Sequence, residues 1–148
     1  MKKGKVIKLN LMLILTIVIF GCSNSNQKHI GEWTGSDNGA DISIILNKDN
    51  SAVMLSGNFV LGGDSFYTPN GFLGKMEFEI DYTKDPIWLD FVIYREDLEQ
   101  EKGRLKGIIR FLTNTKMEFR LNMDPFGDRF SKFDIKDENT IVLDKVIE

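Results

Sequence analysis

Hydrophobic side chains recur at every second position from Ile30 onward, in short runs separated by turn-forming residues. Residues 75–82 alternate strictly between apolar and charged side chains, and the apolar set is Met76, Phe78, Ile80 and Tyr82. A period of two is the pattern of a β-strand that has one buried and one solvated face. The chain is therefore expected to form an antiparallel sheet, because such sheets tolerate water on one face.

Eight runs of this kind follow one another along the chain, at residues 30–35, 40–47, 52–60, 75–82, 86–94, 104–112, 116–123 and 139–147. Besides the set just named, the side chains expected to face inward are Ile42, Ile44, Leu46, Ile87, Leu89, Phe91, Ile93, Leu105, Ile109, Phe111, Met117, Phe119, Leu121, Met123, Ile141 and Leu143. Eight antiparallel strands close most simply as an up-and-down barrel, which leaves no free sheet edge. The predicted fold is thus an all-β, eight-stranded antiparallel up-and-down barrel, with a β-sandwich as the alternative.

The first 21 residues have the three parts of an export signal. Four lysines precede position 9, and residues 9–20 are then apolar except for Asn10 and Thr16. As a helix, about a dozen residues reach only about 18 Å, whereas the hydrocarbon core of a bilayer is about 30 Å thick. We therefore predict a cleaved signal peptide at residues 1–21, a lipidated cysteine and flexible tether at residues 22–29, and one domain at residues 30–148.

The sequence Ile19-Phe20-Gly21-Cys22 resembles a lipobox, the processing signal of bacterial lipoproteins. The resemblance implies cleavage before Cys22 and a diacylglyceryl group on its thiol. Because Cys22 is the only cysteine, it cannot close an internal disulfide. Each buried methylene contributes about 0.8 kcal/mol, so two or more acyl chains anchor a protein stably. Ser23 is not an aspartate-type retention signal, and a cell with two membranes is therefore expected to carry the protein on the outer one.

The net charge of the chain limits the classes of partner that it is expected to bind. The sequence has 19 Lys and Arg against 22 Asp and Glu, and residues 1–21 hold four of the lysines. The processed chain is left with 15 basic and 22 acidic residues, or a net charge of about −7. An acidic domain gains no electrostatic attraction to nucleic acid or to an anionic membrane surface. A transmembrane barrel is also excluded, because glutamates and lysines at outward positions would face lipid.

Four segments resemble, in the same order, the lipocalin-like exported domains of bacteria. They are Gly31-Glu32-Trp33, IDYTKDPIWLDF at residues 80–91, LKGIIRF at residues 105–111 and DRFSKF at residues 128–133. The resemblance spans residues 31–143 and implies that Trp33 lies across the closed end of a barrel. It also implies that Arg129 covers the indole of Trp33, where a stacked guanidinium would contribute about 0.5–2 kcal/mol. Trp33 and Arg129 are thus expected to form a structural, barrel-closing pair.

Barrels of about eight strands are either filled by their own side chains or hold one small ligand. The inward set is apolar, so a cavity here would suit a small hydrophobic molecule. The candidate ligand-binding residues are Phe66, Tyr67, Phe78, Ile80, Phe91, Phe111 and Phe119. Phe66 and Tyr67 belong to the loop 61–71, whose glycines and Pro-Asn-Gly sequence are typical of a lid. The same residues are also compatible with a solid core and a plain connecting loop.

The sequence does not predict an enzyme. Its only histidine, His29, lies in the predicted tether, and its only cysteine is expected to carry lipid, so no Ser-His-Asp or Cys-His arrangement is expected. No G-x-S-x-G elbow and no His/Cys cluster is present in the sequence, and we expect no cofactor and no metal. The leading hypothesis is an envelope lipoprotein that binds a small hydrophobic ligand. The alternative is a protein-interaction or inhibitor module without an internal ligand, in which the charged segment 95–103 is a candidate partner-facing patch.

Overall fold

A computed structural model describes residues 27–63, 65–134 and 139–147. The predicted signal peptide and Cys22 lie outside the described residues. Within them the chain forms β-strands joined by turns and loops. The strands are β1 (Gly31–Asp37), β2 (Ala40–Leu46), β3 (Ala52–Ser56), β4 (Phe59–Gly62), β5 (Phe66–Tyr67), β6 (Leu73–Asp81), β7 (Ile87–Arg95), β8 (Gln100–Phe111), β9 (Lys116–Asn122) and β10 (Thr140–Lys145).

These ten strands form one antiparallel sheet in the order β4-β3-β2-β1-β10-β9-β8-β7-β6-β5. The first strand pairs with the last, with Trp33 opposite Lys145, and this pairing turns the meander back on itself. A seam remains between β4 and β5. Beside this seam, the amide of Phe78 in β6 donates to the carbonyl of Asn50, which precedes β3, at 2.8 Å. The sheet is therefore a nearly closed barrel.

The predicted all-β antiparallel barrel is confirmed, but the predicted number of eight strands is wrong. The run 52–60, predicted as a single strand, is a hairpin in which Ser56 lies opposite Phe59. Gly57 has a φ of +56°, a left-handed conformation that glycine adopts readily, and the chain reverses there. The other additional strand is β5, a two-residue strand inside the loop 61–71. The β-sandwich alternative is wrong because one continuous sheet contains every described strand.

The alternation of apolar and polar residues correctly predicts which side chains face the interior. Fifteen buried hydrophobic residues from nine strands form one cluster: Trp33, Ile44, Leu46, Ala52, Met54, Leu61, Met76, Phe78, Leu89, Phe91, Leu105, Ile109, Met117, Phe119 and Leu143. Met123 departs from the prediction, because it lies beyond the end of β9 and is 57% exposed. Apolar burial contributes about 25 cal/mol per Å², so this cluster is the main stabilising feature of the barrel.

The two ends of the barrel are distinct. We call the end at which residues 27–30 pack the base, and the opposite end the mouth. Three turns lie at the base: 47–50, 82–86 and 112–115. Three hairpin turns lie at the mouth: 38–39, 57–58 and 96–99. The segment 123–128, which follows β9, also begins at the mouth. The described chain thus enters the barrel at the base.

The outer face of β7, β8 and β9 is covered by residues 123–134, which we call the strap. Near the mouth, Lys106 Nζ donates to the carbonyl of Gly127 at 3.0 Å. Further along, Arg120 Nη1 donates to the carbonyl of Lys132 at 2.8 Å, and the guanidinium lies 3.8 Å from the centroid of the Phe130 ring. Ile108 faces outward beside Arg120 in the sheet and is nevertheless fully buried. The strap therefore forms a second, smaller packing layer outside the barrel.

A buried carboxylate on the outer face holds the strap in place. Asp90 is 6% exposed, and it accepts two hydrogen bonds from Arg129 and one from Arg104, the latter at 3.2 Å. Arg129 also donates to the carbonyl of Gly107 at 2.7 Å and lies 4.2 Å from the centroid of the Trp88 ring. A charge removed from water needs such donors, because an unpaired buried charge is strongly unfavourable. Asp90 faces outward as predicted, but it is covered and not solvated.

We predict that Arg129→Ala lowers the free energy of unfolding by about 2–3 kcal/mol, because it leaves a buried carboxylate with fewer charged donors. Urea denaturation of the purified protein measures this loss. The matched control is Arg95→Ala, which removes an exposed ion pair with Asp97 and is expected to cost about 0.5 kcal/mol. Equal losses in the two variants would contradict a stabilising role for the Asp90 contacts.

Candidate functional site

Six of the seven candidate ligand-binding residues lie on the inner face of the barrel. Phe78, Phe91 and Phe119 are buried in the central cluster, and the rings of Phe91 and Phe119 meet edge to face with centroids 6.3 Å apart. Three more are partly buried against the same cluster: Phe66, Ile80 and Phe111. The structure thus brings these side chains together as packing contacts within one hydrophobic core.

The loop 61–71 sends its two aromatic side chains to opposite sides of the sheet. Phe66 lies opposite Gly74 and packs inward, whereas Tyr67 lies opposite Leu73 and is 79% exposed. Successive residues of a strand point to opposite faces, so the two rings cannot meet one internal ligand. The structure therefore places Tyr67 at the outer surface near the mouth and not in the interior.

The predicted pairing of Trp33 with Arg129 is wrong. Trp33 is fully buried on the inner face near the base, and its Nε1 donates to the carbonyl of His29 at 2.8 Å. The cation over its ring is Lys145, whose Nζ lies 5.3 Å from the centroid. Arg129 stacks on Trp88 on the outer face, so the barrel wall separates the two predicted partners. Each residue still lies against a partner of the predicted chemical type.

The base is closed by residues that the sequence assigned to the tether. His29 is 7% exposed, and its Nδ1 forms a hydrogen bond with the hydroxyl of Tyr82 at 2.7 Å. The imidazole also meets the ring of Phe78 edge-on, with centroids 5.3 Å apart. Lys145 Nζ donates to the carbonyl of Lys28 at 3.0 Å. The last residues of the predicted tether are therefore part of the barrel.

Burial is the main electrostatic influence at the base. Burial, together with the charge of Lys145, lowers the pKa of His29 below its ordinary value of 6.5. Burial also raises the pKa of Tyr82, so its hydroxyl stays protonated at neutral pH. The hydrogen bond between these residues therefore joins a neutral imidazole to a neutral phenol. Protonation of His29 would therefore disturb this hydrogen bond, and the role of His29 at the base is structural.

An open groove of about 780 Å³ lies on the surface of the base, beside the start of β1 and the turn 47–50. Its lining mixes apolar and charged side chains, including Ile30, Glu32, Lys48 and Val146. The carboxylate of Glu32 already accepts a hydrogen bond from Ser43 at 2.9 Å. None of the candidate ligand-binding residues lines this groove, which is shallow and open to water.

Large hydrophobic side chains are exposed at both ends of the barrel: Leu112, Val146 and Ile147 at the base, and seven at or near the mouth. Phe126 is 93% exposed, Tyr67 79% and Leu98 58%, and the others are Phe59, Val60, Leu73 and Met123. Exposed apolar side chains grouped in one region are typical of interaction surfaces. Sequence reasoning named Tyr67 and the segment containing Leu98 but missed Phe126. The available signal was Asp-Pro-Phe-Gly-Asp at residues 124–128, a turn sequence with an aromatic residue at its tip.

No protein-family model matches the chain, and comparisons with curated proteins and with solved structures return no significant match. In the described parts of the chain, no helix is long and apolar enough to cross a membrane. Among those same residues, no three His, Cys, Asp or Glu side chains are grouped closely enough to hold a metal ion. The geometry of the two barrel ends is therefore the basis for a functional proposal.

We predict that the free energy of unfolding levels off above about pH 7.5 and decreases as the pH falls below it. The unfolded chain binds a proton at His29 near pH 6.5, whereas the folded chain, with its lowered pKa, does not, so acid favours unfolding. The slope between the two pKa values approaches about 1.4 kcal/mol per pH unit. Urea denaturation at several values between pH 7.5 and 5.5 measures it.

The control for this prediction is His29→Gln, which removes the titrating group and retains a hydrogen-bonding side chain beside Tyr82. Because His29 is the only histidine in the chain, the slope in this pH range should disappear in the variant. An unchanged slope in His29→Gln would show that another group is responsible.

Proposed function

We propose that this chain is a non-catalytic envelope lipoprotein, anchored through lipid on Cys22, whose lipocalin-like barrel binds a partner protein at its mouth. The observation that carries the proposal is the separation of the two ends. The described chain starts at the base, and Cys22 precedes Gln27 by five residues. Five extended residues span at most about 17 Å. Lipid on Cys22 would therefore hold the base near the membrane, which in a cell with two membranes is expected to be the outer one.

The mouth is then the part of the barrel farthest from the anchor. Phe126 lies at the tip of a turn held by hydrogen bonds, since its amide donates to Asp124 Oδ1 at 2.9 Å and the amide of Gly127 donates to the Asp124 carbonyl at 3.0 Å. Leu98 lies in a hairpin turn that is braced by the ion pair between Arg95 and Asp97. Side chains held in place before binding lose less entropy when a partner arrives. These features support recognition of a protein surface.

The interior supports this proposal over deep ligand binding. The candidate residues Phe78, Phe91 and Phe119 contact other core side chains and are at most 4% exposed. A ligand at their depth would have to displace packed side chains, and core rearrangements of that kind cost about 1–3 kcal/mol or more. An outward-facing binding surface needs no such rearrangement.

A small hydrophobic ligand bound at the mouth is the second candidate function. The observation that favours it is a set of inward-facing apolar side chains that remain only partly buried at that end of the barrel, namely Ile42, Phe66, Ile93 and Leu121. They would form a shallow apolar floor beneath the exposed residues of the rim. Native mass spectrometry of the purified protein distinguishes the candidates, because a retained hydrophobic molecule would favour this one.

We predict that radiolabelled palmitate is incorporated into the wild-type protein and not into Cys22→Ser. The reason is that Cys22 is the only thiol in the chain and is the residue that the lipobox would modify. Gel autoradiography of membrane fractions measures incorporation. The matched control is Ser23→Ala, which changes the neighbouring residue and should retain the label. Equal labelling of wild-type and Cys22→Ser would contradict the anchor.

We predict that a photo-crosslinking phenylalanine analogue at position 126 or 67 forms discrete protein adducts in cells, whereas the same analogue at position 142 does not. Val142 is the matched control because it is 44% exposed but lies in β10 on the barrel wall. Immunoblotting after irradiation measures the adducts. Adducts of the same size and intensity from all three positions, or none from positions 126 and 67, would contradict a protein-binding mouth.

A further inference from the structure

Charge is concentrated at the mouth of the barrel. The described segments at this end are residues 37–41, 56–59, 67–73, 95–102 and 123–128, and together they contain eight carboxylates and two cations. Four of the carboxylates lie in the hairpin segment 95–102, and the two cations, Arg95 and Lys102, lie in the same segment. Asp97 and Glu101 are ion-paired with Arg95 and Arg104, and the other carboxylates give these segments their excess of negative charge.

The base differs from the mouth in this respect. The described segments at the base are residues 27–30, 47–50, 81–86, 112–116 and 144–147, and they contain five lysines and four aspartates. Their charges nearly cancel. The mouth segments are therefore more acidic than the base segments.

The exposed apolar side chains assigned to the mouth lie on elements that neighbour one another in the fold. The strap turn that carries Phe126 is tied to β8 by the bond from Lys106 to Gly127, and β8 is joined to β7 through the hairpin that carries Leu98. The amide of Glu96 donates to the carbonyl of Leu73 at 3.0 Å, which links this hairpin to β6. Tyr67 then lies opposite Leu73 in β5. These bonds link the strap, β8, β7, β6 and β5, which carry Phe126, Leu98, Leu73 and Tyr67.

Carboxylates stand directly beside the exposed hydrophobic side chains. Leu98 lies between Asp97 and Glu99, and Phe126 has an aspartate two residues away on each side. Solubility alone would explain exposed carboxylates. It does not explain Phe126 and Leu98, whose exposed apolar surface is unfavourable in water. A partner that fits this surface must place cations and apolar groups at similar spacing. Lysine and arginine do both, because their alkyl chains pack on apolar surfaces while their charged ends reach carboxylates.

We infer that the partner bound at the mouth is a cationic polypeptide in which basic and apolar side chains alternate. This inference rests on the proposed function, since it names the class of partner for the same surface. Attraction between the acidic mouth and a basic chain speeds association and weakens as salt is added, because the Debye length falls to about 10 Å at 0.1 M. The apolar contacts are not screened by salt.

The test uses the purified full chain in a neutral detergent and three synthetic 18-residue peptides, composed of Leu and Lys, Leu and Glu, or Leu and Gln. Fluorescence anisotropy measures the dissociation constant of each peptide in 50 and 250 mM NaCl. The Leu/Lys peptide is expected to bind at least about tenfold more tightly than the Leu/Glu peptide, and to weaken as salt is raised.

Two matched variants locate the effect. Glu96→Gln with Glu99→Gln removes two exposed carboxylates from the mouth, and Asp85→Asn with Asp144→Asn removes two exposed carboxylates from the base. The mouth pair should weaken Leu/Lys binding about three- to tenfold at low salt, and the base pair should leave it unchanged. Phe126→Ser should weaken binding by a similar factor at both salt concentrations, because its contribution is apolar.

Three results overturn the inference. Equal binding of the Leu/Lys and Leu/Gln peptides, with both reduced by Phe126→Ser, leaves the mouth as a docking surface and removes its preference for cations. Equal effects of the mouth and base double variants would show that the attraction depends on the overall charge of the protein. No binding of any peptide, together with no crosslinks from positions 126 and 67, removes the proposed function as well.

Discussion

The pairing of β1 with β10 is the constraint on which the rest of the structure depends. A meander sheet has two free edges and one apolar face, and it becomes a barrel only when its first strand meets its last. Here that contact places Trp33 opposite Lys145, which turns the inner faces toward one another. Side chains from nine strands then bury one cluster. The seam between β4 and β5 is bridged on one side only, so closure depends chiefly on the chain ends.

The strap explains why polar residues of the outer face are buried. The strap packs against β7, β8 and β9, where Asp90, Glu118 and Arg120 are at most 9% exposed. Asp90 accepts hydrogen bonds from Arg129, Glu118 accepts one from Arg110 at 2.6 Å, and Arg120 Nη1 donates to the carbonyl of Lys132 at 2.8 Å. The surroundings of such pairs have a low dielectric constant, so removing one partner is strongly destabilising. The strap is therefore fastened by electrostatics, whereas the barrel is stabilised by apolar packing.

The two ends of the barrel have different physical properties, and the functional proposals follow from this difference. The base is closed by His29 and Trp33, and its described charges nearly cancel. The mouth segments combine exposed apolar residues such as Leu98 with eight carboxylates and two cations.

The sequence by itself determined the all-β class and most of the inward set of side chains, because a period of two assigns residues such as Phe91 and Asp90 to opposite faces. It did not determine the strand number, since the reversal at Gly57 lies inside an apolar run. Only the tertiary structure decided that Arg129 meets Trp88 and that His29 closes the base against Tyr82. The reason is physical: alternation is a local property of the backbone, whereas these contacts join residues distant in sequence that only the closed barrel brings together.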